Sequence, residues 1–113
     1  MLRWLSQVGG AGISYTLTNV AYRTFNFSID RVDKATTLAL KKMDIKLISD
    51  SKAETGRKIK AATEELDIII NLERVTSKAT RIKVNAKKGP VFKDKATATE
   101  IIYQVGKILE RKG

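Results

Sequence analysis

Apolar and polar residues alternate over several short segments of the chain, and this period of two is typical of β-strands with one buried side. Phe25, Phe27 and Ile29 alternate with polar residues and predict a first strand over residues 19–29. The same alternation predicts further strands, separated by short turns: one that starts at residue 45 and fades into the polar residues 49–51, and others over residues 58–61, 66–72 and 80–87. Because these turns are short, we expect neighbouring strands to pair in antiparallel hairpins.

Two other segments repeat their apolar residues every three or four positions, which is the period of an α-helix. A stripe that includes Val32 and Ala39 predicts a helix over residues 31–43, with Asp30 as its N-cap. A second helix follows Asp94, which can cap it, and its apolar stripe contains Ala98, Ile101, Ile102, Val105, Ile108 and Leu109. The order of elements predicts an α+β fold, β-α-β-β-β-β-α, with both helices packed on one face of an antiparallel sheet.

Residues 1–17 differ from the rest of the chain, since Arg3 is their only charged residue and they contain a glycine cluster typical of a hinge. We therefore divide the chain into a flexible N-terminal arm over residues 1–17 and a single α+β domain over residues 18–113. Aromatic side chains outside a core often anchor interfaces, so we interpret the arm as a docking segment; a frayed terminus is the alternative. The candidate docking residues of the arm are Trp4, Leu5, Ile13 and Tyr15.

The composition favours a binding protein over an enzyme. The chain has 113 residues, of which 22 are basic and 12 acidic, and the net charge of +10 favours an anionic partner or simply keeps a small protein soluble. It contains no cysteine and no histidine, which excludes disulfides, thiol nucleophiles and imidazole-based triads or metal sites. We expect no cofactor and no metal, and no apolar run approaches the ~18 residues of a membrane span.

Two motifs could carry chemistry, and both fit a structural role better. The glycine cluster over residues 9–12 lacks the Lys-Ser or Lys-Thr pair of a phosphate-binding loop. Glu64, Glu65 and Asp67 form an acidic cluster that could do acid–base work if it lay in a pocket. The cluster falls at a predicted turn between strands, where nothing desolvates it, so we expect solvated side chains.

Basic residues on the outer side of the predicted sheet form the strongest candidate binding surface. Alternation places basic side chains of two strands on the same side, and the candidate residues are Lys58, Lys60, Arg81, Lys83, Lys87 and Lys88. Such a face can bind phosphates or an acidic protein surface. The alternative is a solvated face, because Asp67 and Glu73 point to the same side and can pair with these residues. The basic strands contain no aromatic residue for base stacking, so nucleic acid is not the expected partner.

Several short segments carry a resemblance to a known family: Gly9-Gly10-Ala11-Gly12-Ile13-Ser14-Tyr15, Ser28-Ile29-Asp30-Arg31-Val32, Ile59-Lys60-Ala61, Ile68 to Leu72, Thr80-Arg81-Ile82-Lys83-Val84 and Val91-Phe92-Lys93-Asp94. In these patterns of core and turn, residues 9–110 resemble small bacterial envelope proteins of unknown function, many of which look like lipoproteins. The resemblance implies an exported, periplasmic or comparable location and offers no catalytic residues. Members usually carry a signal that ends in a lipid-attached cysteine; this chain has no cysteine, so either a signal was removed or this member carries no lipid.

These observations lead to three hypotheses. The first is a non-enzymatic structural or assembly module that docks on a larger protein complex or an envelope surface, or assembles with itself. Its arm would anchor it, and its basic face would meet an acidic partner. The alternative is an anion-binding module for lipid headgroups, a cell-wall polymer or nucleic acid, whose affinity would fall steeply with salt. The third is an enzyme that uses Glu64 and Glu65.

Overall fold

The computed structural model describes residues 12–111, which form an antiparallel sheet and two helices. The elements are β1 (Ser14–Tyr15), β2 (Ala21–Phe25), α1 (Ile29–Lys42), β3 (Lys46–Ala53), β4 (Gly56–Ala62), β5 (Asp67–Thr76), β6 (Ala79–Lys88), β7 (Phe92–Lys93) and α2 (Lys95–Arg111). The predicted α+β fold and its order of main elements are confirmed. The structure adds two short strands, β1 and β7, at the edge of the sheet.

The strands lie in the order β1-β2-β6-β5-β4-β3, and β7 pairs with β6 beyond the end of β2. Tight turns join β3 to β4, β4 to β5 and β5 to β6, so these strands form consecutive hairpins. α1 carries the chain from β2, near one edge, to β3 at the other. Its 14 residues span about 21 Å, which is close to the width of four strand spacings.

The hydrophobic core lies between one face of the sheet and the two helices. Every second residue of β4, β5 and β6 is buried there, as the alternation in the sequence predicts. α1 packs on β3 to β6, α2 packs on β2 and β6, and the helices also contact each other. The fully buried aliphatic side chains are Val32, Leu40, Ile59, Ile68, Ile70, Leu72, Ile82, Val84, Ile101, Ile102 and Val105.

The first strand and the start of the first helix differ from the sequence-based prediction. β2 ends at Phe25, and Ile29 is the first residue of α1 rather than the last of a strand. The N-cap is Ser28, whose side chain accepts a hydrogen bond from the Arg31 backbone, so the prediction of Asp30 as the cap is wrong. Phe25 and Ile29 are both buried, but in different elements, so their spacing imitates a strand.

Gly56 marks the hairpin turn between β3 and β4, and its lack of a side chain allows a close contact between strands. A Cβ atom at this position would lie 1.8 Å from the backbone oxygen of Leu72 and 3.0 Å from Cδ1 of Ile29. Any larger residue would therefore push β4 away from β5 and α1. This explains in packing terms why the turn signal in the sequence is a glycine.

Candidate functional site: the open basic face of the sheet

The face of the sheet that points away from the helices is covered by no other element in the described part of the chain. We call it the open face. Its residues form four cross-strand rows: Lys46, Ala62, Asp67, Lys87 and Lys93; Ser49, Lys60, Ile69 and Asn85; Ser51, Lys58, Asn71, Lys83, Tyr22 and Ser14; and Ala53, Gly56, Glu73, Arg81 and Thr24. Neighbouring side chains within a row are about 5 Å apart, so the rows form one continuous polar surface.

Positive charge dominates the open face. The acidic residues there are Asp67 and Glu73, whereas the basic residues are Lys46, Lys58, Lys60, Arg81, Lys83, Lys87 and Lys93. The structure thus brings together all but one of the basic residues proposed from the sequence. The exception is Lys88, which lies opposite Phe92, points to the other side of β6 and pairs with Glu65 at 3.4 Å.

Ion pairs neutralise one part of the open face and leave another part free. Glu73 lies 3.0 Å from Lys83 Nζ and 3.9 Å from Arg81 Nη1, as the cross-paired alternative expects. The other basic residues of the face have no acidic partner within 4.0 Å among residues 12–111, although Asp67 lies opposite Lys87 in the ladder: they are Lys46, Lys58, Lys60, Lys87 and Lys93. The free positive charge therefore lies on β3 and β4, and at the end of β6 beside β7.

The middle of the open face combines an apolar side chain with an unsatisfied polar atom. Ile69 and Asn85 lie opposite each other, and both are half-buried. Oδ1 of Asn85 is buried and accepts no hydrogen bond from any described residue. A buried acceptor without a donor costs about 1–3 kcal/mol of stability.

The proposed docking residues of the arm lie in two different parts of the chain. Trp4 and Leu5 are outside the described residues, so their role stays a prediction. Ile13 packs against the core, and Tyr15 belongs to β1, where its hydroxyl is hydrogen-bonded to Thr99 of α2. The structure therefore gives Ile13 and Tyr15 a place in the fold itself.

The acidic cluster proposed as a catalytic alternative lies at the turn between β4 and β5. Glu64 and Glu65 are exposed, and the Thr63 hydroxyl accepts hydrogen bonds from the backbone of Glu65 and Leu66. These residues line an open groove of about 760 Å³. Glu65 pairs with Lys88, and Asp67 lies on the open face, so the carboxylates do not converge on one point.

A group of three charged residues that the sequence did not reveal links α1 to the edge of the sheet. Arg57 of β4 lies 2.7 Å from Asp50 of β3 and 3.6 Å from Asp33 of α1. Burial, together with a hydrogen bond and repulsion from Asp50, raises the pKa of Asp33 to about 7. Burial beside the negative charge of Asp50 favours the protonated, neutral form of Asp33. The β3–β4 hairpin explains the contact between Arg57 and Asp50, whereas the contact between Arg57 and Asp33 requires the packing of α1 on the sheet.

Neither a metal centre nor a membrane-spanning helix is found in the described part of the chain. Residues 12–111 contain no group of three or more acidic, histidine or cysteine side chains that could hold a metal ion. Within the same range, neither helix is both long and apolar enough to cross a bilayer.

Comparison with known proteins places the chain in a family without giving it an activity. The chain belongs to the family described as a protein of unknown function (DUF3568), whose model matches residues 3–107. No curated protein matches the chain. The match covers all elements of the sheet and most of α2, so the family describes the fold seen here.

Proposed function

We propose that this protein is a non-enzymatic docking module that binds an acidic surface of a larger protein assembly through its open face. The observation that supports this proposal is the charge of that face, where Lys58, Lys60 and Lys87 lack acidic partners among the described residues. Positive residues on a surface raise the rate of encounter with an acidic partner and suppress other partners. Ile69 at the centre of the face would then supply apolar contact.

A protein partner fits the open face better than a polynucleotide or a small anion. Tyr22 is the face's one aromatic side chain among the described residues, whereas single-strand-binding sheets stack several bases on aromatic rings. A small anion would require a pocket in which several donors converge. Lys58 and Lys60 are instead exposed side chains that extend from β4 into solvent. The open face also carries the acidic residues Asp67 and Glu73. A complementary partner would therefore have both charges on its surface, with acidic residues in excess.

The location of the protein and the role of its arm belong to the same proposal. The resemblance to envelope proteins supports an exported location, and fractionation of the source cells would test it directly. Trp4 and Leu5 stay the candidate anchors of the arm. Because Ile13 and Tyr15 serve the fold, a deletion that tests the arm should end at residue 11.

Site-specific cross-linking tests which face meets the partner. The chain has no cysteine, so one introduced cysteine can carry a photoreactive label. Asn71→Cys places the label in the middle of the open face, and Gln104→Cys places it on α2; both positions are half-buried. In extract of the source cells we expect a cross-linked protein with the Asn71 label and none with the Gln104 label. Equal cross-linking from both positions would overturn the proposal.

Charge variants then test whether the free lysines carry the interaction. The triple variant Lys58→Gln, Lys60→Gln, Lys87→Gln should reduce the cross-linked product at least ~10-fold, because a loss of about 0.5–1 kcal/mol per charge contact adds up over three sites. The matched control is Lys34→Gln, Lys41→Gln, Lys42→Gln on α1, which removes the same net charge. An equal loss in the control would show that net charge alone matters. A product that nuclease destroys would favour the anion-binding alternative.

A further inference from the structure

The segment between β6 and α2, which includes the short strand β7, exposes two adjacent apolar side chains. Val91 is 75% exposed and Phe92 is 71% exposed, and among the large hydrophobic residues described only Leu17 is more exposed. Gly89 has a positive φ of 71°, and Pro90 restricts the next φ, so the sequence favours a defined turn before the pair. Keeping Phe92 in water forgoes the free energy that its burial would give, which suggests that a partner covers it.

Lysines flank the apolar pair on both sides. Between residues 87 and 95 the only acid is Asp94, whereas the basic residues are Lys87, Lys88, Lys93 and Lys95. The Asp94 carboxylate is occupied, because it accepts hydrogen bonds of 2.9 Å from both the backbone and the hydroxyl of Thr97. Lys88 pairs with the exposed Glu65 at 3.4 Å, and Lys95 lies over the Tyr15 ring. Lys87 and Lys93 point to the open face and Lys88 points to the same side as Phe92, so lysines lie on both sides of the strand pair that carries Phe92.

We propose that residues 87–95 form a membrane-contact loop that inserts Val91 and Phe92 into the interface of an anionic bilayer. The apolar pair would enter the boundary between headgroups and acyl chains while the lysines contact lipid phosphates. Long lysine side chains can remain at headgroup level while their stems cover apolar surface. Apolar insertion alone and lysine attraction alone each give only weak and reversible membrane binding, so stable binding requires both.

A bilayer fits this loop better than an acidic protein surface. The apolar pair is narrow, lies within one short segment and has lysines on both sides, whereas a protein docking site has a broad apolar core with a polar rim. The proposal does not depend on the open face as a protein-binding surface. Lys87 and Lys93 belong to both surfaces, however, so the decisive variants change Val91 and Phe92 only.

Vesicle binding tests the apolar contribution at constant charge. The double variant Val91→Ser, Phe92→Ser should bind phosphatidylglycerol-containing vesicles at least ~10-fold more weakly than the native chain in a sedimentation assay. The control Leu38→Ser, Ile48→Ser changes two other exposed apolar residues and should bind as the native chain does. Vesicles of phosphatidylcholine alone should bind much less. Equal binding of the double variant and the native chain would overturn insertion and leave charge attraction only.

A fluorescent label reports insertion itself. Because the chain has no native cysteine, Val91→Cys and Ile48→Cys can each carry one environment-sensitive nitrobenzoxadiazole group. We expect a blue-shifted emission on anionic vesicles for the label at residue 91 and none for the label at residue 48. Binding without a shift at residue 91 would contradict insertion, and so would the absence of binding to either vesicle. Cross-linking from Asn71 would survive both results, so the two proposals fail separately.

Discussion

At the scale of single residues, Asp33 binds a proton more readily in the folded protein than in the unfolded chain. Its carboxyl group is partly buried beside Asp50, and its pKa rises from 3.8 to about 7. Between these two pH values the folded state holds more protons than the unfolded state, so the free energy of unfolding must fall as the pH rises. The stabilisation that protonation gives is complete below about pH 4 and lost above about pH 7.

Asp33→Asn should therefore stabilise the protein at alkaline pH. The amide is neutral and nearly isosteric, and it can donate a hydrogen bond to Asp50 at every pH. We expect the free energy of unfolding at pH 8 to rise by about 1–2 kcal/mol. A pKa change of one unit corresponds to ~1.4 kcal/mol when it is fully expressed in stability. We expect a smaller total gain than the whole pKa change would give, because solvent screens the partly exposed carboxyl group. Urea unfolding followed by circular dichroism between pH 4 and pH 8 measures the effect.

Glu54→Gln is the control for that experiment, since Glu54 is an exposed carboxyl group in the nearby hairpin turn. It removes the same charge and should leave the slope of stability against pH unchanged between pH 4 and pH 7. A native chain whose stability does not fall over this range would contradict the raised pKa of Asp33. So would a slope that Asp33→Asn leaves in place.

At the scale of elements, the two helices begin with caps of different quality. Asp94 accepts hydrogen bonds of 2.9 Å from the Thr97 backbone and from its hydroxyl, so it caps α2 as the sequence predicts. Ser28 caps α1 with one longer hydrogen bond of 3.4 Å to the Arg31 backbone. Since hydrogen bonds weaken with distance, the α2 cap should contribute more to stability than the α1 cap.

Alanine substitution at both caps tests this difference. We expect Asp94→Ala to lower the free energy of unfolding by about 1–2 kcal/mol and Ser28→Ala by about 0.5 kcal/mol. Thermal and urea unfolding of the two variants give the comparison. Asp30→Ala is the control, because Asp30 lies in the first turn of α1 without being its cap and should cost less than Asp94→Ala. Equal costs at Ser28 and Asp94 would contradict the geometric argument.

The elements show where sequence patterns suffice and where they do not. Alternation places Ile68, Ile70 and Leu72 correctly because β5 lies inside the sheet and one of its sides is fully buried. The pattern is weakest in β3: the predicted strand fades into the polar residues 49–51, whereas β3 runs on to Ala53. An edge strand needs no buried side chain, so its polar residues carry no period that a pattern could reveal.

At the scale of the whole molecule, the chain separates an apolar layer from a charged one. Alternation predicts the side to which Lys58, Lys60 and Lys83 point, so most of the candidate face follows from the sequence. The pairing of Glu73 with Arg81 and Lys83 is also among the expectations, and strict alternation places Lys88 on the side opposite Lys87. The contact of Asp33 with Arg57 is different, because it requires the tertiary structure. It depends on the packing of α1 against β4, which no local pattern encodes.

Two consecutive residues of β5 test this layered architecture directly. Ile70 is fully buried against the helices, whereas Ile69 is half-buried on the open face. Ile70→Ala should lower the free energy of unfolding by about 3–4 kcal/mol, because it removes core packing and leaves a cavity. Ile69→Ala removes the same atoms and should cost less than about 1 kcal/mol, because they are only partly removed from water in the isolated chain. Urea unfolding of both variants at low protein concentration measures the difference. Equal losses would mean that something already covers the open face in solution, and the binding surface would then have to be sought elsewhere on the molecule.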